Sequence, residues 1–125
     1  MAHPFDYLDK EQYISLTTFR ANGEGVPTPV WFAREGDKLY VWTQANSYKV
    51  KRLRNNPNVE IAPCTVRGEI TGPKISAQGR VLPPDQAPLV KARLNRKYGL
   101  LARMFDLLGR FSRAERVGLE ITAQS

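Results

Sequence analysis

Hydrophobic and polar positions follow the rhythm of strands along most of this chain and change to a helical rhythm in two places. Gln12 to Phe19 (QYISLTTF) is rich in β-branched and aromatic residues, which suit a pleated, half-buried surface, and predicts a first strand. Asn22-Gly23-Glu24-Gly25 supplies a turn, because Gly and Asn tolerate positive φ. Val26 to Arg34 (VPTPVWFAR) predicts a second strand. Pro27 and Pro29 have no N–H to give to a ladder, so the start of this strand is expected at an edge or a bulge. Glu35-Gly36-Asp37 turns the chain into a third strand, Lys38 to Thr43, and residues 26–43 read as a hairpin.

Asn46 to Asn56 predicts a short helix. Asn46 or Ser47 is placed to cap it through a side-chain oxygen, and Asn55-Asn56-Pro57 ends it. Asn58 to Cys64 predicts a fourth strand, Thr65 to Pro73 a loop, and Lys74 to Leu82 a fifth strand. Pro83-Pro84-Asp85 then opens a helical region. Leu89, Val90, Leu94, Tyr98, Leu101, Phe105 and Leu108 recur there at spacings mostly of three and four. Gly99 is expected to divide this region into two helices, and Glu115 to Thr122 predicts a last strand. This order predicts a single domain over residues 1–125, mainly β (α+β), built as an antiparallel barrel with flanking helices.

Composition narrows the setting. The 125 residues are 42% hydrophobic and 25% charged, ordinary for a globular chain with a core of its own. The single Cys64 excludes an intramolecular disulfide and suits a reducing cytoplasm. The start, Met1-Ala2-His3-Pro4-Phe5-Asp6, lacks the pattern of a secretory signal, and no apolar run is long enough to span a membrane as a helix. The formal charge of +7 favours anionic partners without choosing among nucleic acid, a membrane surface and a phosphorylated small molecule.

The placement of the charge carries more. Lys49 and Arg52 lie three apart on the first predicted helix and share a face, while Val50 and Leu53 share another. Ser47 stands at the helix start, where free backbone N–H groups favour an anion. A hydroxyl, an ammonium and a guanidinium in one place suit a phosphate, and so, more blandly, does a solvated basic surface suit the same residues. The hairpin before it offers a proline-bearing strand edge at Pro29 and Val30, with Trp31 as an aromatic beside it.

Taken together, TPVWF (28–32), LYVWT (39–43), SYKVKRLRNNPNVEIAPC (47–64) and SAQGRVL (76–82) resemble the pyridoxamine 5′-phosphate oxidase-like family. The likeness runs over roughly residues 10 to 122 and is nearest to the bacterial branch that uses the deazaflavin coenzyme F420. The resemblance implies a six-stranded antiparallel split β-barrel, FMN-binding-like, that forms a homodimer with cofactor sites at the interface. It implies that Ser47 and Lys49 bind the cofactor phosphate with Arg52 beside them. Pro29, Val30 and Trp31 would lie along the ring, with Thr43 near it. Gln78 and Arg80 are further candidates, and Lys97 and Tyr98 fall near the expected substrate mouth. Compared with a true pyridoxamine-phosphate oxidase the chain is short and lacks the extra C-terminal segment used for substrate.

No side chain reads as a catalyst by itself, as expected where a cofactor carries the chemistry. His3 is the only histidine, so metal and Ser/His/Asp chemistry lack their usual residues, and Cys64 reads as a buried thiol. The expected activity is hydride transfer between reduced F420 and a small organic acceptor. FMN is the alternative cofactor, and a non-catalytic carrier of either is the alternative role. A nucleic-acid-binding barrel is disfavoured, because few aromatics are interleaved with the basic helix. The basic, apolar-striped region from 85 to 116 is expected to cover the barrel rather than a membrane.

Overall fold

Six antiparallel strands close into one barrel in the order β1-β2-β3-β6-β5-β4. The computed structural model describes residues 3–99 and 116–123. The elements are β1 (Tyr13–Phe19), β2 (Gly25–Glu35), β3 (Lys38–Gln44), α1 (Tyr48–Asn55), β4 (Asn58–Cys64), β5 (Ile75–Val81), α2 (Ala87–Tyr98) and β6 (Arg116–Ala123), with short 3₁₀ turns at Asp6–Leu8 and Pro84–Gln86. Each expected strand is present. The first helix is shorter than its predicted span, and its Val50 and Leu53 are buried as expected. The first helix of the 85–116 region ends at Gly99, whose φ of 55° is the positive angle that closes a helix at low cost. The second, expected around Leu101, Phe105 and Leu108, lies outside the described residues.

Strand alternation builds two layers of packing. Ile14 and Leu16 of β1, Phe32 of β2, Val41 of β3 and Leu119 of β6 point into one core, and Val50 and Leu53 of α1 join it from one end. The opposite face of β2 and β3 forms a second cluster, with Ala33 and Tyr40 against Val90, Leu94 and Tyr98 of α2. Gly118 of β6 permits that docking: a Cβ there would stand 2.6 Å from Val90 Cγ2.

The two prolines of β2 fit without breaking a ladder. Phe32 directs both its N–H and its C=O toward β1, to the Tyr98 hydroxyl that also meets the Gln12 carbonyl. Backbone direction alternates along a strand, so Pro27 and Pro29 face the other way. On that side β3 pairs only from Phe32 to Glu35, so from Gly25 to Val30 the β2 strand has β1 as its single strand partner. The edge expected from the sequence is therefore real, and at Pro27 and Pro29 it presents carbonyl oxygens without N–H groups.

Candidate functional site

The site gathers where α1 covers one end of the barrel. Thr18 and Thr43 continue the inward-facing series of Leu16 and Val41, so two hydroxyls stand at the rim where aliphatic side chains stop. Lys49 and Arg52 extend from α1 to these two residues. Lys49 Nζ donates to Thr43 Oγ1 at 3.0 Å, and Arg52 Nε donates to Thr18 Oγ1 at 2.7 Å. The shared helical face read from the sequence thus becomes a pair of cations anchored on buried threonines.

The electrostatics of this pair are uncompensated. Burial holds the Lys49 ammonium below its ordinary pKa, and the nearby Arg52 charge lowers it further. No carboxylate forms an ion pair with either cation among the described residues. Two like charges held close, each on a neutral hydroxyl, favour an incoming anion.

Ser47 is the N-cap residue of α1, as the sequence suggested, but its side chain makes no capping hydrogen bond. Its Oγ is buried and has no hydrogen-bond partner among the described residues. An unsatisfied buried hydroxyl costs roughly 1–3 kcal/mol, and natural structures rarely leave one without a reason. Here it lies at the positive end of a helix, one turn from Lys49 and Arg52.

The residues expected along a ring divide between two faces of β2. Val30 packs against the barrel core, whereas Trp31 belongs to the outer cluster and Pro29 is exposed. Trp31 is stacked on Tyr98 of α2, with ring centroids 4.1 Å apart and planes 7° from parallel. Gln78 is exposed, and Arg80 pairs with Glu120 at 2.9 Å. Lys97 lies over the Phe32 ring at 3.3 Å, and burial takes its pKa down to about 8. Cys64 is a buried thiol whose pKa is raised by burial and then by Glu11. His3 accepts the Phe5 N–H on Nδ1.

Sequence reasoning missed three participants. Thr18 became visible only with the register of β1, and Arg20 and Tyr48 only with the recess of about 400 Å³ that they line with Ala21 and Arg52. Tyr48 is the most exposed large apolar side chain among the described residues, at 74%.

The family model described as pyridoxamine 5′-phosphate oxidase matches residues 5–124. No curated protein matches. Among solved structures, the heme storage protein HutZ from Vibrio cholerae superposes with a TM-score of 0.71 at 15% identity, over 96% of this chain and 87% of its own. A structure titled F420 reductase gives 0.63 at 19% identity, over 100% of this chain and 97% of its own. An FAD-binding protein from Mesorhizobium loti gives 0.63 at 17%, over 94% of this chain and 83% of its own. At these identities the likeness is one of fold.

Proposed function

The chain belongs to the pyridoxamine 5′-phosphate oxidase family, and from that premise we propose that it is an oxidoreductase that holds a phosphate-bearing deazaflavin, coenzyme F420, with FMN as the alternative. The observation that carries this reading is the buried, unpartnered Ser47 hydroxyl beside two anchored cations. A phosphate would take a hydrogen bond from Ser47 Oγ and from the free N–H groups of the first turn of α1. It would also offset the repulsion between Lys49 and Arg52. The residues present therefore fit the group.

When bound, the cofactor would supply hydride transfer to or from a small organic acceptor. The chain's own residues bind and orient. Ser47, Lys49 and Arg52 hold the phosphate, and Thr18 and Thr43 fix the two cations. The β2 edge at Pro27 and Pro29 offers carbonyl oxygens, which accept from a ring N–H. Trp31, clamped by Tyr98, forms a flat wall on the outer face of that strand, and Val30 supports it from within. A second copy of the chain completes the pocket against the same edge. There Pro27 and Pro29 are exposed, as are Val66 and Ile70 on the loop that touches Pro29. The F420 reductase and the FAD-binding protein share the fold and lend the reading support.

The test is a fluorescence titration of the purified protein with F420 and with FMN. Binding of at least one with Kd below about 100 μM, roughly −5.5 kcal/mol, is expected. Failure of both to bind at that level would sink the proposal.

A further inference from the structure

Lys97, near the C-terminal end of α2, is a half-buried lysine that the phosphate anchor does not use. Its Nζ stands 3.3 Å from the centroid of the Phe32 ring and 5.3 Å from that of Tyr98. Phe32 is fully buried on β2, and Tyr98 is fixed by its stack on Trp31 and by its hydroxyl contacts to Gln12 and Phe32. The amine therefore rests against two rigid aromatic walls. It makes no hydrogen bond and no ion pair among the described residues. The charges that bear on it are the carboxylates of Asp9 and Glu11, in the segment before β1. Asp9 is engaged by Arg34 at 2.9 Å, whereas Glu11 has no ion pair among the described residues. Burial in this slot disfavours the charged form and takes the pKa down to about 8. At pH 7.5 roughly a quarter of Lys97 is then uncharged, against about one in a thousand for an ordinary lysine.

An uncharged lysine amine is a nucleophile, and fixed aromatic walls favour a flat partner. We infer that Lys97 is a covalent carbonyl site, at which the amine beside Phe32 and Tyr98 forms a reversible imine with an uncharged, planar aldehyde or ketone. The Nζ lone pair adds to the carbonyl carbon, and one N–H proton passes to the carbonyl oxygen. The second N–H proton then leaves with that oxygen as water, and a C=N bond remains. Nothing is oxidised or reduced. The protonated imine is a cation, which the faces of Phe32 and Tyr98 attract and the carboxylates of Asp9 and Glu11 favour. The same carboxylates oppose a carbonyl compound that carries its own negative charge. The site is built from α2, β2 and the segment before β1, so it stands independently of the cofactor reading above.

The experiment traps imines on the wild-type protein with sodium cyanoborohydride, which fixes them as secondary amines, and locates them by peptide mapping in a mass spectrometer. Benzaldehyde is the probe, and 4-carboxybenzaldehyde is its charged counterpart. At pH 7.5 benzaldehyde is expected to label Lys97 roughly tenfold faster than the exposed Lys10 and Lys74. That advantage is smaller than the difference in uncharged fraction, because a less basic amine is also a weaker nucleophile. It should shrink as pH rises toward 10.5, where ordinary lysines lose their charge as well. The preference for Lys97 should be weaker with 4-carboxybenzaldehyde. Labelling of Lys97 no faster than of Lys10 and Lys74 at pH 7.5 would overturn the site. An equal or stronger preference with 4-carboxybenzaldehyde would overturn its selection of uncharged carbonyls. Because the mapping is done on the wild-type protein, neither result depends on a variant that has to fold.

Discussion

Lys49 on α1 and Thr43 on β3 are joined across the turn between them by a 3.0 Å hydrogen bond, the only one that holds this half-buried ammonium among the described residues. The contact orients the charge without neutralising it. Lys49→Met should therefore leave the free protein about as stable as before, because relief from burying a charge offsets the lost hydrogen bond. The same variant should weaken a phosphate ligand roughly tenfold or more, the worth of one charge-assisted hydrogen bond. Urea denaturation without ligand, paired with a titration, separates the two effects.

Tyr98 ties α2 into the sheet. Its hydroxyl accepts the Phe32 N–H at 3.0 Å and shares its proton between the Gln12 carbonyl at 2.6 Å and the Phe32 carbonyl at 3.0 Å. Burial holds its pKa above the ordinary tyrosine value. Tyr98→Phe leaves these backbone groups unsatisfied and should cost on the order of 1–3 kcal/mol in chemical denaturation. It should also change the tryptophan emission, because Trp31 is stacked on the ring.

Lys97 should contribute stability that grows as pH rises through mild base. Its folded-state pKa is about 8 against an ordinary 10.5, chiefly through burial. Below about 8 it is charged in both folded and unfolded chains, and the folded state bears the whole cost of burying the charge. Between about 8 and 10.5 the folded form releases its proton first, so folding gains as pH rises. Lys97→Met keeps the apolar stem and should flatten this part of the curve. The check is denaturation of both proteins at pH 7 and pH 10.

Gly118→Ala should loosen α2. The new Cβ would meet Val90 Cγ2 at 2.6 Å and Val90 Cβ at 3.2 Å, and a buried β-branched side chain on a helix has little freedom to turn away. A loss of about 1–3 kcal/mol is expected from overpacking, read as a lowered melting temperature.

Much of this fold is legible in the sequence because local chemistry sets it. Runs of β-branched residues mark the strands, Gly36 with φ 61° marks the hairpin turn, and Val50 and Leu53 mark the buried face of α1. Lys49 and Arg52 could be placed together by their spacing alone. What closes around them could not. Thr18 reaches Arg52 from 34 positions away, and Tyr98 reaches Phe32 from 66. Such meetings depend on barrel register, which no short window contains. Ser47 shows a different limit. Its position at the cap was readable, but the missing capping bond, the feature that points to a ligand, exists only in three dimensions.

The most direct test of the phosphate anchor is Ser47→Ala, measured twice: by thermal melting without ligand and by titration with F420 and FMN. An ordinary N-cap serine stabilises its helix by about 0.5–2 kcal/mol, and alanine forfeits that. Here the hydroxyl makes no cap bond, so the variant should melt no lower than the wild-type protein, while its affinity for the bound cofactor drops about tenfold. A lowered melting temperature with unchanged affinity would show that Ser47 is a structural cap and would contradict the anchor.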